Sequence, residues 1–582
     1  MRILLISTAY NSLTQRAHVE LSTLGHEVSI ELALSDEVIS SAVALYQPHL
    51  IIAPMLKAAV PEQIWRNYTC IIIHPGIKGD RGPSSLDWAI VNDSEEWGVT
   101  ALQAEAEMDA GPIWSSFNFK MRKAKKSSIY RHEVTEAALK AILQTVERFE
   151  SGNFVPSTLD YSKPDVKGCL RPFMKQNNRA IDWTQTTSNI LKKIYAADSC
   201  PGVLDTIYGE QYYLYGAHEE ETLKGSPGEI IATRHGAICR ATGDGAIWIT
   251  YLKQKSTAFE SFFKLPAATV LSKQLKGVPE SNLDICDCSN RKTYKEIWYE
   301  EKNDVGYLHF EFYNGAMSTE QCQRLKQAFI YARTRPTKVI VLMGGTDFWS
   351  NGIHLNTIEA AESPADESWQ NINAINDLVY EIITTDTHLT IAAMAGNAGA
   401  GGVMLAIAAD LVYARTGVIF NPHYKGMGNL YGSEYWTYLL PKRVGYKKAM
   451  ELTNNCLPIG TKEAKALGLI DNFFGDSSIL FQRFTSTIAE VVAHSSNYQE
   501  RLARKNKIRQ QDEQVKPLAV YRAEELAQMK INFYGLDQSY HIARSNFVYK
   551  VCPEQTPPHL AKHRDFQFAS QLPSNALCVC TA

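Results

Sequence analysis

A chain of 582 residues is too long for one small module and, at about 150 residues per domain, points to about four domains. Hydrophobic residues make up 45% and charged residues 21%, near the globular average, which excludes wholesale disorder and a fibrous architecture. Lysine plus arginine number 59 against 62 for aspartate plus glutamate, a net charge of -3, and no basic arm marks nucleic acid as a partner.

The opening MRILLISTAY reads as a buried strand over Ile3–Ile6 and lacks the small-residue cleavage site of a signal peptide. A helix pattern over Leu13–Leu24 closes at Gly25, and strand patterns follow at Val28–Leu32, Leu50–Ala53 and Ile71–Ile73. Strands alternating with helices predict a parallel α/β sheet with helices on both faces. Ser127 and Ser128 precede an amphipathic helix, with apolar Ile129, Ala138, Ile142, Val146 and Phe149, that ends at Gly152 and closes this domain. From Leu170 to Leu271 the short strands and turns of GEQYYLYGAH and GAICRATGDGAIWITYLK predict a small β-rich domain. The polar, aperiodic stretch Ser272–Tyr294 reads as a linker.

A second α/β pattern starts at Val305, with strands Val305–Phe310 and Val339–Leu342 flanking a helix at Thr319–Arg333. The uncharged run Leu389–Ala409 is long enough for a membrane span, but Gly396, Gly399, Gly401 and Gly402 make it a buried strand, a glycine loop and a helix start. After Ser495 the text is helical and charged, and the last dozen residues are expected to fray. Eleven cysteines without a regular framework fit free thiols in a reducing cytoplasm. Cys286-x-Cys288 and Cys578-x-Cys580 lack partners at metal-site spacing, so no metal is expected.

The strand ending at Ile73 delivers His74-Pro75-Gly76 and then KGDRGPSSLDWAI, at the carboxyl end of a strand where α/β sheets bind ligands. By itself such a histidine braces a loop as readily as it catalyses, and Asp109, in Met108-Asp109-Ala110-Gly111-Pro112-Ile113, could be a turn former. Taken in order, the His-Pro loop, Arg81-Gly82-Pro83, Gly98-Val99-Thr100 and the Asp109 turn resemble the folate-dependent formyltransferases. The likeness continues through Arg171-Pro172, Arg179-Ala180-Ile181-Asp182-Trp183 and Pro201-Gly202, over about residues 1–270. It implies that His74 and Asp109 are catalytic, that Arg81, Gly82 and Pro83 bind folate, and that N10-formyltetrahydrofolate is the donor. Formyl transfer passes through a tetrahedral oxyanion, which needs an N–H donor, and a nearby carboxylate manages the nucleophile's proton. That family has an asparagine two residues before the histidine; this chain has Ile72, which favours a better nucleophile than an amine, an inactive site, or a donor supplied by a partner.

Gly344-Gly345-Thr346-Asp347-Phe348-Trp349-Ser350-Asn351-Gly352-Ile353-His354-Leu355 and Ala395-Gly396-Asn397-Ala398-Gly399-Ala400-Gly401-Gly402 resemble the two oxyanion loops of the crotonase, or enoyl-CoA hydratase/isomerase, family. Close packing alone would explain one glycine loop more easily than two in the right order. The resemblance runs on through Phe420-Asn421-Pro422-His423 and Gly460-Thr461-Lys462-Glu463-Ala464 over about residues 300–480, and implies that the N–H groups of Ile353 and Gly401 hold a thioester oxygen. Where hydratases carry two glutamates this sequence has Met404 and His423, so hydration is not expected. Tyr424 and Glu434 remain as candidate catalytic groups, although either could be packing or surface residues.

The fusion of these halves, with a Lys-Pro-Leu-x-x-Tyr-Arg-x-x-Glu-Leu tail from Lys516, is similar to the hydrogenase maturation factors of the HypX/HoxX type. The implied architecture is α/β multidomain: a Rossmann-like formyltransferase domain (1–165), a β-rich, OB-like domain (166–272), a linker (273–294), a crotonase-like domain (295–495) and a helical C-terminal extension and tail (496–582). The implied activity is transfer of formyl to coenzyme A and decarbonylation of formyl-CoA to CO for a nickel-iron hydrogenase, with Glu434 taking the formyl proton and Tyr424 protonating or stabilising the leaving thiolate. Small-molecule substrates, and the hydrogenase large subunit or its maturation proteins, are the expected partners; no membrane is expected, and the location is cytoplasmic. The rival readings are an amine formyltransferase with a regulatory acyl-CoA-binding domain and a non-catalytic hydrogenase-assembly scaffold.

Overall fold

A computed structural model describes residues 1–287 and 289–565. Expectations for Cys288, for Cys578-x-Cys580 and for fraying of the last dozen residues lie outside or largely outside the described residues. The chain forms two units, one of residues 1–179, 195–199 and the described residues from Cys552 onward, the other of residues 180–194 and 200–551.

In the first unit six strands, β1 (Arg2–Ser7), β2 (Glu27–Leu32), β3 (Leu50–Ala53), β4 (Cys70–His74), β5 (Glu96–Gln103) and β6 (Ile113–Lys120), form one sheet in the order β2-β1-β3-β4-β5-β6. The first four are parallel, as the strand and helix alternation predicts, but β5 runs antiparallel to β4 and β6 antiparallel to β5. The sheet is therefore mixed. The 104–112 connection is shorter than a parallel crossover requires, so β6 can only turn back. The expected closing helix spans Thr135–Ser151, buries Ala138, Ile142 and Val146, and ends on left-handed Gly152.

Within the 496–582 span, residues 552–565 return to this first unit and cover its edge strand β2. The Leu560 carbonyl accepts from Ile30 N (3.0 Å), and Thr556 Oγ1 accepts from Leu32 N (2.9 Å). His563 bridges Ser29 Oγ (2.8 Å) and the buried Glu31 carboxylate (2.7 Å), which also receives Thr556. Burial pushes the Glu31 carboxyl up, but the His563 and Thr556 hydrogen bonds with nearby Arg564 bring it below its ordinary value. Unpaired strand edges invite association, and this segment blunts one. His563→Ala, which removes one partner of the buried Glu31 and leaves Thr556 and Arg564, is expected to cost the first unit about 1–3 kcal/mol in chemical denaturation. Because the Glu31 pKa is depressed, its contribution is present above the unfolded carboxylate pKa and fades as pH falls below it.

In the second unit an antiparallel sheet joins Val203–Ile207, Glu210–Glu220, Ala246–Gln254, Ala237–Ala241 and Ile230–Arg234 in that spatial order. The stretch read as a linker has little regular structure yet is fastened to this sheet, because the Arg234 guanidinium donates to Ser281 O (2.7 Å), Thr293 Oγ1 (2.8 Å) and Tyr294 O (2.8 Å). A second sheet runs Ile297–Lys302, Val305–Phe310, Val339–Leu342, Leu389–Met394, Leu411–Arg415 and Asn472–Phe474, parallel apart from its first pair. A small sheet of Phe348–Ser350, Asn397–Gly399, Ile419–Asn421 and Ile459–Gly460 carries the loops that matter below. Helices α1 (Gly401–Ile407), α2 (Trp436–Val444) and α3 (Leu518–Tyr534) contribute to the same core. The uncharged run 389–409 is thus two strands and α1, and among the described residues no helix is long and apolar enough to cross a membrane.

Candidate active sites

In the first unit β4 ends on His74, paired across the sheet with Thr100 of the Gly-Val-Thr strand. The loop after it is fastened by Thr100 Oγ1 donating to Gly76 O and by Trp97 Nε1 and Ser85 Oγ donating to Pro75 O, each at 2.9 Å. The buried imidazole lies between two carboxylates, with Nε2 2.9 Å from Asp80 Oδ2 and Nδ1 3.6 Å from Asp109 Oδ1. A Cβ on Gly76 would fall 2.5 Å from both Asp80 Oδ2 and His74 Nε2, so only glycine allows this approach.

Asp109 has a left-handed φ of 57°, and its Oδ2 accepts from Gly82 N (3.2 Å), so the Arg-Gly-Pro segment and the aspartate turn meet at the histidine. Arg81 donates to Met108 O and pairs with Glu107, and Pro83 is exposed. Ile72 is half-buried against the apolar core and offers no hydrogen-bond donor to this site. Asp80 stands out beyond the sequence reading: it is fully buried, binds His74, and has Arg171 Nε 3.6 Å from its other oxygen. Its only sequence signal is its place between Gly79 and Arg81, which reads equally as a turn.

In the second unit a cavity of about 330 Å³ is lined by Gly352, Ile353, Gly401, His423, Tyr424 and Glu434, among others. The two glycine loops face each other here, since a Cβ on Gly352 would lie 3.5 Å from Gly401 N. The loop carrying Ile353 is held by His354, whose N–H is bonded to Asn371 Oδ1 and whose ring meets Tyr251 of the antiparallel sheet at 2.8 Å. Burial pushes that imidazole down to about 4, so it is neutral; its Nδ1 accepts from Thr357 N, leaving Nε2–H to donate to Tyr251. Met404 is packed in the hydrophobic core, whereas His423 lines the cavity.

Tyr424 and Glu434 are brought together. The Tyr424 hydroxyl donates to Glu434 Oε2 at 2.9 Å, and both residues are almost wholly buried. Burial, reinforced by the Glu525 charge and opposed by the Tyr424 hydrogen bond, pushes the Glu434 carboxyl up to about 8. Burial and the facing carboxylate push the Tyr424 phenol well above its ordinary value, so it stays protonated. The carboxylate touches the second glycine loop itself: a Cβ on Gly401 would fall 2.3 Å from Glu434 Oε1. Gly432, at φ 92°, passes directly over the Tyr424 ring.

Glu434 and Tyr435 both occupy the left-handed region, at φ 61° and 59°, a conformation costing about 1–2 kcal/mol per non-glycine residue. The turn is fastened from two sides. Asn376 Oδ1 accepts from Glu434 N (2.7 Å), and the buried Glu525 of α3 accepts from Tyr435 N (2.9 Å), Thr437 N (2.8 Å) and Thr437 Oγ1 (2.5 Å). Glu525 is the Glu of the Tyr-Arg-x-x-Glu-Leu tail, to which the sequence alone assigns no role.

A chain with a histidine and carboxylate loop at the end of a mixed α/β sheet, joined to paired glycine loops over a buried acid, combines a formyltransferase-like fold with an enoyl-CoA hydratase-like one. The comparisons with known proteins agree. The enoyl-CoA hydratase/isomerase family matches residues 300–533 and the formyl transferase C-terminal domain matches residues 174–265. The hydrogenase maturation factor HoxX of Bradyrhizobium diazoefficiens is 48% identical over 565 residues, 97% of either chain. The crystal structure of HypX from Aquifex aeolicus in complex with tetrahydrofolic acid is similar with a TM-score of 0.93 and 49% identity, covering 97% of this chain and 99% of that one. The methionyl-tRNA formyltransferase of Trichlorobacter lovleyi is 26% identical over 239 residues, 40% of this chain and 72% of its own length. The chain belongs to the HypX/HoxX family of hydrogenase maturation factors.

Proposed function

We propose that this protein makes carbon monoxide for a nickel-iron hydrogenase by moving the formyl group of N10-formyltetrahydrofolate onto coenzyme A and decarbonylating the resulting formyl-CoA. The observation that carries this reading is the buried Tyr424 and Glu434 pair against Gly401, in a pocket without the water-activating glutamates of a hydratase. The tetrahydrofolic acid complex of the Aquifex aeolicus relative supports the folate half.

In the first unit the donor's formyl carbon is attacked by the CoA thiolate, a stronger nucleophile than a neutral amine, which suits a site with Ile72 where a second oxyanion donor would stand. His74 stabilises the oxyanion and Asp80 holds the ring, while Asp109 takes the CoA thiol proton and returns it to N10 as the carbon–nitrogen bond breaks and tetrahydrofolate leaves. Arg81, Gly82 and Pro83 belong to the folate side of this loop. In the second unit the N–H groups of Ile353 and Gly401 hold the thioester oxygen. Glu434 removes the formyl proton, the carbon–sulfur bond breaks, and CO and the CoA thiolate separate without change of oxidation state.

The 2.9 Å hydrogen bond closes the proton cycle. Once protonated, Glu434 donates to the Tyr424 oxygen, which frees the phenol O–H to protonate the thiolate. A carboxyl poised near 8 suits a base that must take a weakly acidic proton near neutral pH. The protein works in the cytoplasm, and its product goes to the hydrogenase large subunit or a maturation protein bound to it.

The test supplies N10-formyltetrahydrofolate and CoA to the purified protein and traps gas with a reduced haem protein. CO-haem formation that needs both substrates is the expected result. Formylation of an added amine without CoA would support the amine formyltransferase instead, and tight CoA retention without turnover of the donor would support the scaffold.

A further inference from the structure

We propose that Glu525 is a positioning residue for the second reaction centre: its carboxylate clamps the left-handed Glu434-Tyr435 turn by accepting the N–H groups of Tyr435 and Thr437, and sets its negative charge beside that of Glu434. The inference rests on the assignment of Glu434 as the base.

The geometry is specific. A carboxylate drawn out of water must be compensated by donors, and Glu525 has four: two backbone N–H groups at 2.8 and 2.9 Å, the Thr437 hydroxyl at 2.5 Å and the Ser433 hydroxyl at 3.4 Å. All four belong to the segment that carries Glu434 and opens α2. Ser433, wholly buried, also accepts from Asn376 Nδ2, and Asn376 Oδ1 in turn holds Glu434 N. Two residues in left-handed conformation thus sit on a frame made by one asparagine and one glutamate, while the Tyr424 hydroxyl and Ser433 N hold the carboxylate itself beside Gly401.

The electrostatic part has the same origin. Glu434 is faced by Tyr424 from the loop after Ile419–Asn421, by the buried thiol of Cys322 from helix Thr319–Arg333, and by Glu525 from α3, and it shares its cavity with His423. Glu525 itself faces Tyr424, Tyr431 and Tyr435, while Arg522, the nearest cation on its helix, is engaged with Asp377 at 2.7 Å. Among the described residues no ammonium or guanidinium is one of the groups that shift Glu434. The Glu525 charge therefore repels the Glu434 charge and makes its carboxylate more basic. Burial likewise lifts Glu525, to about 7.

Glu525→Gln retains an acceptor oxygen and deletes the charge, and Glu525→Ala deletes both. In the glutamine variant the Glu434 carboxyl, followed by infrared titration of its protonated band in the substrate-free protein and assigned with Glu434→Gln, is expected to titrate about one pH unit lower. The acid limb of the CO-release profile moves down with it. In the alanine variant CO release is expected to fall about 100-fold while transfer of formyl to CoA persists. An unshifted carboxyl titration in Glu525→Gln, or wild-type CO release by Glu525→Ala, overturns the proposal. The infrared titration needs no turnover, so it decides the role of Glu525 even if the protein proves to release no CO.

Discussion

Glu434→Gln is expected to abolish CO release while leaving the transfer of formyl from folate to CoA intact, so formyl-CoA accumulates. The loss should be about 100- to 10,000-fold, the range for removing a positioned general base. Glutamine keeps the shape of the side chain, and the turn held by Asn376 and Glu525 survives, so the variant should fold. Its stability should even improve with rising pH relative to the parent. Glu434 has a pKa raised from 4.5 to about 8, so the folded state holds a proton that the unfolded state releases. That stabilisation is complete below the unfolded pKa and is lost as pH rises through about 8, at about 1.4 kcal/mol per pH unit within the window. Melting temperatures of the two proteins should therefore diverge between pH 5 and pH 8, with the variant higher at the alkaline end. A variant that releases CO normally would remove Glu434 from the chemistry.

His74→Ala gives the mirror image. Formyl transfer to CoA is expected to fall about 100- to 1,000-fold, as for the loss of an oxyanion donor, and CO production from formyl-folate falls with it. CO release from formyl-CoA supplied directly should be unchanged. Asp80→Asn, which leaves the ring in place but weakens its 2.9 Å anchor, should show a smaller defect in the same step. If His74→Ala instead slows decarbonylation of supplied formyl-CoA, the division of labour between the two sites fails.

Much of this was legible in the residues. The ordered motifs marked both sites, and His74, Asp109, Tyr424 and Glu434 each lie where their motifs meet. What escaped was contact between residues far apart in the chain. Asp80 lies in a glycine-flanked loop, where an aspartate is an ordinary turn former, and only the return of Arg171 and the end of β4 shows it as a buried partner of His74. Glu525 sits in a charged helical stretch, and beyond its place in the tail motif nothing local marks it as buried where Glu524, which pairs with Lys516, is exposed. The mixed sheet escaped because strand periodicity is blind to direction; the short 104–112 connection was the available clue.

The return of residues 552–565 to β2 places the larger part of the second unit, residues 200–551, between two pieces of the first. A single cut cannot separate the two activities. A fragment ending near residue 199 would expose the edge of β2 and a Glu31 without His563, whereas the complementary fragment would carry the missing strap with nothing to bind. A synthetic peptide covering 552–565, added to the first fragment, is the natural way to restore it, and its affinity would measure how strongly the chain is stitched back onto its beginning.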